Sequence, residues 1–258
     1  MTINKNHSAI DRLLTIMDEL REKCPWDRKQ TLESLRYLTI EEMYELSDAI
    51  IQHDLNEIKK ELGDILLHIV FYAKIGSEQG AFDFADVVNG ICDKLVLRHP
   101  HVFGDMKVND SEEVKANWEK IKLTEGRKSV LEGVPHSLPA MVKAYRIQEK
   151  VRGVGFDWNN SAEVLEKVKE EIGEFESEQK QKDAVRMEEE FGDILFAIIN
   201  YARFLEINPE DALERTNQKF IKRFQYMEDQ SKLQHKAINE LDFEQMNAFW
   251  EESKKYIK

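Results

Sequence analysis

The stretch EEIGEFESEQKQKDAVRMEEEFGD, residues 170–193, decides the fold. It places Glu171 and Glu174 before a polar break, and Glu190 and Asp193 after it. Residues three apart lie on one face of a helix, which rises about 1.5 Å per residue. The polar break between these pairs predicts a turn that joins two helices into a hairpin. Each pair begins eight residues from the middle of the break, and so at the same distance from the turn. The four carboxylates are expected to face each other at one level.

The same construction occurs earlier in the chain, at an offset of 129 positions. The first copy places Glu41, Glu42, Glu45, Glu61 and Asp64 where the second copy has Glu170, Glu171, Glu174, Glu190 and Asp193. Asp54 and Asp183 stand at equivalent positions after each polar break, where a helix N-cap is expected. Self-similarity at one offset indicates an internal duplication.

Apolar residues in both halves recur at three- and four-residue steps, without two-residue alternation, which predicts helices and no strands. Gly126, Gly133, Pro135 and Pro139 interrupt this periodicity in the middle of the chain. We therefore expect an all-α protein with two tandem four-helix domains. The predicted division gives residues 1–129 and 130–258.

Composition excludes several classes of protein. The 258 residues carry a net charge of −13, which argues against a surface that binds nucleic acid. Two cysteines, Cys24 and Cys92, are too few for a secreted disulfide scaffold. The apolar stretches fall short of the roughly 20 residues of a membrane span. The sequence therefore predicts a soluble cytoplasmic protein with no nucleic acid or membrane partner.

The paired acids favour a metal site. Carboxylates about 5 Å apart repel each other by roughly 3 kcal/mol per pair at an effective dielectric near 20. All-oxygen ligation suits Mg²⁺, with Mn²⁺ as a possible substitute. Two alternatives stay open: a solvated helix face without metal, and a ferritin-like di-iron centre. The second alternative needs Glu-x-x-His on two helices, whereas this chain has ELGD and EFGD.

Several motifs together resemble the MazG-type nucleoside triphosphate pyrophosphohydrolases, of the all-α NTP pyrophosphatase superfamily. The motifs are CPWD at 24–27, EEMYE at 41–45, ELGD at 61–64, RHPHVFGD at 98–105, GVP at 133–135, VGFDW at 154–158, EEIGE at 170–174, EFGD at 190–193 and KFIKR at 219–223. The resemblance implies Mg²⁺-dependent hydrolysis of ribo- and deoxynucleoside triphosphates to monophosphates and pyrophosphate. It also implies broad base tolerance and a homodimer.

The resemblance also implies roles for individual residues. Glu171, Glu174, Glu190 and Asp193 match the metal ligands, and Glu170 would orient or deprotonate the water that attacks the α-phosphorus. Lys219 and Arg223, one helical turn apart, would contact phosphate oxygens, and Trp250 would stack on the base. A packing role for Trp250 and a solvated face for the two cations are the open alternatives.

The two halves differ in their cations. Lys167 and Arg186 each precede a cluster carboxylate by four positions, whereas the corresponding positions of the first half hold Leu38 and Glu57. We therefore expect the C-terminal half to be the catalytic domain and the N-terminal half to serve dimerisation or regulation. A non-catalytic nucleotide-sensing or interaction module is the competing hypothesis, and a narrower substrate range within the superfamily also stays open.

Overall fold

The computed structural model describes residues 2–257 except 109, 111–112, 115–116, 119–120 and 122–128. The described residues form helices and turns with no strand among them, so the all-α prediction is confirmed. The chain divides into two compact units, residues 1–108 and 109–258. The predicted division at 129/130 follows residues outside the described set and stays a prediction. No described helix is both long and apolar enough to cross a bilayer.

The first unit contains four main helices and one short one. They are α1 (Thr2–Lys23), α2 (Leu32–Ile51), α3 (Leu55–Glu78), α4 (Phe84–Arg98) and the short α5 (Pro100–Phe103). α3 packs against α1, α2 and α4. The apolar stripes of α1, α2 and α3 meet in a core built around Met17, Leu35, Val70, Phe71 and Ile75. Burial of these side chains holds α2 and α3 together as a hairpin.

The second unit repeats this plan and extends it. From residue 140 onwards its α-helices are α6 (Ala140–Arg152), α7 (Ser161–Gln181), α8 (Ala184–Phe204), α9 (Pro209–Leu233) and α10 (Phe243–Ser253). α8 packs against α7, α6 and α9, and α9 also contacts α6 and α10. Val164, Val168, Ala197 and Ile199 are the buried apolar residues of the α7–α8 hairpin.

The turns of the two hairpins have the same geometry. His53 and Lys182 adopt left-handed backbone angles, with φ of 57° and 61°. The carboxylate of Asp54 then accepts from the backbone N–H groups of residues 56 and 57, and that of Asp183 accepts from those of residues 185 and 186. Both predicted N-caps are confirmed. The shared turn sets the same helix register in both copies, so equivalent acids lie at the same distance from the turn along each hairpin.

Candidate functional site

The α7–α8 hairpin brings three glutamates together. One carboxylate oxygen from each of Glu171, Glu174 and Glu190 lies within 4.8 Å of the other two. Glu171 is buried, with 7% of its surface exposed, whereas Glu174 is exposed and Glu190 is half-buried. We call these three residues the C-terminal cluster. Two helices supply it, as the spacing predicts.

A lysine on α7 neutralises one side of the C-terminal cluster. Lys167 Nζ lies 2.8 Å from Glu171 Oε1 and 3.0 Å from Glu170 Oε1. These two hydrogen bonds raise the pKa of Lys167, so the ammonium is charged at neutral pH. The lysine spans one helical turn and ties the predicted water-binding residue Glu170 to the buried Glu171.

Glu174 is the acid of the C-terminal cluster whose pKa is raised. Partial desolvation, followed by the negative charges of Glu171 and Glu190, raises the pKa of the Glu174 carboxyl. The positive charge of Lys167, which is bonded to Glu170 and Glu171, opposes this shift without cancelling it. A cation bound between the carboxylates would remove the repulsion.

The α2–α3 hairpin holds a second group of the same composition. One carboxylate oxygen from each of Glu42, Glu45 and Glu61 lies within 4.8 Å of the other two, and we call these residues the N-terminal cluster. Glu61 is only 2% exposed, and its Oε2 atom is buried without a hydrogen-bond partner among the described residues. A buried carboxylate oxygen without a partner is costly and is well suited to ligate a cation.

The lysine of the N-terminal cluster comes from the other helix. Lys60 Nζ lies 3.1 Å from Glu61 Oε1 and 3.2 Å from Glu57 Oε2, and these contacts raise the pKa of Lys60. Desolvation and the charges of Asp64, Glu45 and Glu61 raise the pKa of Glu42. Lys60 is not among the predicted residues, because the positions of the first half that correspond to Lys167 and Arg186 hold Leu38 and Glu57. The run KKELGD, with a lysine directly before the buried Glu61, was the signal available.

The remaining predicted acids lie around these groups. Asp193 is exposed on α8, one turn beyond Glu190, and is not one of the three residues that converge. Asp64 is half-buried and close enough to Glu42 to affect its pKa. Glu170 and its counterpart Glu41 are both exposed on the first helix of their hairpins.

Arg186 is placed nearer the turn than Lys167. Its Nη1 lies 4.0 Å from Glu178 Oε1, at the upper limit of an ion pair, and the guanidinium is largely exposed. The second carboxylate oxygen of Glu178 is buried without a hydrogen-bond partner among the described residues. Arg186 therefore extends the charged surface of the hairpin from the C-terminal cluster towards the loop.

The predicted nucleotide-binding residues of α9 and α10 contact each other. Arg223 donates from Nε and Nη2 to the carbonyl oxygen of Ile257, at 3.1 and 2.9 Å, and lies 5.7 Å from the ring centre of Trp250. The Trp250 ring also packs against Phe220 at 5.0 Å. Lys219, one turn before Arg223, is half-buried on α9. Arg223 and Trp250 thus fasten α10 to α9.

Both clusters offer only carboxylate oxygens, and among the described residues neither group includes a histidine. Hard divalent cations such as Mg²⁺ and Mn²⁺ prefer this donor set, whereas zinc prefers nitrogen and sulfur. Desolvation, together with repulsion between the carboxylates, raises the pKa of Glu174 and Glu42, and a bound cation would relieve that repulsion. The residues present therefore fit a divalent metal of the oxygen-binding class.

Comparison with known proteins extends over almost the whole chain. Residues 30–103 and 159–227 match the family described as the MazG nucleotide pyrophosphohydrolase domain, and each segment contains one cluster. The chain is 44% identical over 257 residues to the nucleoside triphosphate pyrophosphohydrolase of Escherichia coli (strain K12), with 96% of this chain and 98% of that one covered. It is 43% identical over 249 residues to the nucleoside triphosphate pyrophosphohydrolase/pyrophosphatase MazG of Thermotoga maritima, with 95% of each covered.

Proposed function

The chain belongs to the MazG nucleotide pyrophosphohydrolase family, and on that premise we propose that its C-terminal cluster hydrolyses nucleoside triphosphates. The products are a nucleoside monophosphate and pyrophosphate, from ribo- and deoxynucleotides alike. The observation that carries this proposal is the convergence of Glu171, Glu174 and Glu190 from two helices within 4.8 Å. Such a group can hold the cation that a triphosphate requires.

Glu171, Glu174 and Glu190 would hold the divalent cation, with Asp193 as a proposed fourth ligand and Mg²⁺ as the proposed ion. When bound, the ion supplies positive charge against the triphosphate oxygens and favours ionisation of water. The buried position of Glu171 and its bond to Lys167 fix one carboxylate oxygen in place, which leaves the other oxygen for ligation.

Glu170 is proposed to orient the attacking water or to accept its proton. It lies next to Glu171 on α7, is exposed, and accepts a hydrogen bond from Lys167 at 3.0 Å. This bond sets the distance of Glu170 from the ligand shell before substrate arrives, which lowers the entropy cost of reaching the reactive geometry. Attack occurs at the α-phosphorus and displaces pyrophosphate.

We propose that basic residues around the C-terminal cluster bind the triphosphate. Lys167 and Arg186 lie on the two helices of the hairpin, and Lys219 and Arg223 lie one turn apart on α9. Trp250 is proposed as the stacking platform for the base, since every base offers a π-face. Its tilted contact with Phe220, and Arg223 over the ring, would keep the indole in one orientation.

The N-terminal cluster is proposed to serve assembly or regulation. Leu38 occupies the position that corresponds to Lys167, and the lysine of this cluster, Lys60, bonds instead to Glu61 and Glu57 on α3. Glu57 occupies the position that corresponds to Arg186, which removes a phosphate-binding cation. Both differences favour triphosphate binding at the C-terminal cluster.

We further propose that the protein is a homodimer in the cytoplasm. Large apolar side chains are exposed in both units, which favours burial against a second copy. The clearest examples are Tyr37, Met43 and Tyr44 on α2 and Phe220 and Ile221 on α9. The free thiols of Cys24 and Cys92 suit a reducing compartment.

A product assay tests the proposed function directly. Purified protein is incubated with the standard ribo- and deoxynucleoside triphosphates, with Mg²⁺, with Mn²⁺ or with excess chelator. We expect monophosphate and pyrophosphate in equal amounts with either ion, and neither product with chelator. Nucleotide binding without turnover would instead favour the non-catalytic sensing module, and release of inorganic phosphate would place the cleaved bond elsewhere.

A further inference from the structure

A cavity lies within the second unit, between α6, α8 and the turn that carries the VGFDW motif. Its volume is about 470 Å³, within the range of pockets that bind small molecules. The apolar and aromatic wall is formed by Ile147, Val151, Phe156, Trp158 and Phe196. The proposed hydrolysis uses none of these residues.

The charged residues in the wall of this cavity neutralise each other. Arg203 is only 6% exposed, and it donates from Nη1 to Asp157 Oδ2 at 2.9 Å and from Nη2 to Asp157 Oδ1. Its Nε and Nη2 also donate to Asn200 Oδ1, at 3.0 and 2.8 Å. Because all three guanidinium nitrogens are already bonded, Arg203 is not arranged to receive a phosphate.

Gln148 presents a buried acceptor without a partner. The side chain is 4% exposed, and its Nε2 donates to the carbonyl oxygen of Phe196 at 2.9 Å, which fixes the orientation of the amide. Its Oε1 atom is buried with no hydrogen-bond partner among the described residues. Buried polar atoms are nearly always satisfied, so this oxygen indicates a ligand that supplies an N–H group.

Asn200 adds the complementary group. Its Oδ1 accepts from Arg203, so the amide nitrogen is the part left to donate to a ligand. The cavity wall thus combines one fixed acceptor, one donor, aromatic surfaces and no net charge. Planar heterocycles with N–H and ring nitrogen or carbonyl groups at their edge match this combination.

We propose that this cavity binds the uncharged ring of a nucleobase or nucleoside. The ring stacks against the aromatic wall, donates an N–H to Gln148 Oε1 and accepts from Asn200. Asn200 lies ten residues beyond Glu190 on α8, which is about 15 Å along a helix. The ring could therefore come from a separate nucleoside, with the base of the triphosphate on Trp250, or from the base of the triphosphate itself, in which case Trp250 only packs α10 against α9. Both sources share the same chemistry.

Calorimetric titration of the full metal-free chain with adenosine, cytidine, guanosine and uridine tests the proposal. We expect saturable binding of at least one nucleoside at one site per chain. If adenosine binds, purine riboside, which lacks the exocyclic amine, should bind about tenfold more weakly, because Gln148 Oε1 would stay unsatisfied. No binding of any of the four nucleosides at millimolar concentration would overturn the proposal.

Two variants test where the nucleoside binds. Val151→Trp fills the cavity and should weaken binding at least tenfold, whereas the matched substitution Val185→Trp, at an exposed position outside the wall, should leave it unchanged. Gln148→Leu removes the acceptor with little change in volume and should give a loss of about tenfold. Circular dichroism and thermal unfolding establish that each variant is folded. Unchanged affinity in a folded Val151→Trp protein would contradict the proposal.

Inhibition of triphosphate hydrolysis identifies the source of the ring. If the substrate's own base occupies the cavity, the nucleoside raises KM without changing kcat, and Val151→Trp raises KM. If the cavity is a separate site, nucleoside and triphosphate bind together and KM for the triphosphate stays independent of Val151→Trp. The calorimetric titration with nucleosides does not depend on hydrolysis, so it tests this inference even if the proposed hydrolysis fails.

Discussion

The two acidic clusters are built on equivalent hairpins, yet their lysines come from opposite helices. In the C-terminal cluster Lys167, on the first helix, bonds to Glu171. In the N-terminal cluster Lys60, on the second helix, bonds to Glu61. Both copies keep the three carboxylates, and they differ in the helix that supplies the lysine and in Arg186, whose counterpart is Glu57.

The acid whose pKa is raised also differs between the two clusters. Glu174 has the raised pKa in the C-terminal cluster, where Lys167 bonds to its neighbour Glu171. Glu42 has the raised pKa in the N-terminal cluster, where Lys60 bonds to Glu61 on its own helix α3. In each case desolvation, and then the charges of the neighbouring carboxylates, raises the pKa of that acid. Equivalent residues in a duplicated site therefore need not have equivalent chemistry.

We expect the largest difference between the two clusters when the lysine of each is removed. We expect Lys167→Met to lower kcat/KM for triphosphate hydrolysis by about 10- to 100-fold, because Glu170 and Glu171 lose their shared partner and the substrate loses a cation. Lys60→Met should stay within about twofold of the unaltered protein. Steady-state pyrophosphate release measures both. Equal losses in the two variants would show that the clusters act as one functional unit.

Metal affinity should change in the opposite direction at the N-terminal cluster. In a protein that also carries Glu174→Ala, Lys60→Met should bind Mn²⁺ about tenfold more tightly, because Glu61 no longer bonds to an ammonium group. Titration followed by the electron paramagnetic resonance signal of free Mn²⁺ gives the affinity. Lys59→Met, which changes the neighbouring lysine, is the control and should have a smaller effect. An unchanged affinity would mean that Lys60 does not compete with the cation.

The smallest expected effect is that of the raised carboxyl pKa on the stability of the metal-free protein. The pKa of Glu174 is raised in the folded chain, so the folded state binds more protons than the unfolded state. Stability is therefore lost as pH rises from the ordinary carboxyl pKa through the raised one. Glu174→Gln should give a slightly higher Tm at pH 7 and no gain at pH 4.

Glu42→Gln should show the same behaviour in the N-terminal unit, since the pKa of Glu42 is also raised. Glu176→Gln, at an exposed carboxylate of α7 outside the cluster, is the control and should leave Tm unchanged. Saturating Mg²⁺ should reverse the order, because only the unaltered cluster gains stability from the ion. A lower Tm for Glu174→Gln without metal would contradict the repulsion described here.

Periodicity and spacing were sufficient to predict the hairpins. Both N-caps, Asp54 and Asp183, and both pairs of facing helices were readable because helix geometry is local. The distance of the acids from the turn, measured along each helix, followed from counting residues. Convergence of Glu171 and Glu174 with Glu190 needed only that the two helices pack along their apolar faces.

Contacts that depend on side-chain direction were not predictable in this way. Arg186 and Lys167 both precede a cluster acid by four positions, but Arg186 lies against Glu178 while Lys167 bonds within the site. Lys60 was missed because its counterpart is Glu189, so comparing equivalent positions of Lys167 and Arg186 does not reveal it. Arg203 and Asp157 are 46 residues apart, and nothing local signals their pairing.

The central claim is that hydrolysis occurs at the C-terminal cluster, and a matched pair of substitutions tests it most directly. Pyrophosphate release is measured with Mg²⁺ for Glu174→Ala and for the equivalent Glu45→Ala, after both are found to be folded. We expect Glu174→Ala to reduce release by at least about 100-fold, because a ligand is lost from the metal shell. We expect Glu45→Ala to retain most of the activity. Equal loss in both variants, or full activity in Glu174→Ala, would contradict the account.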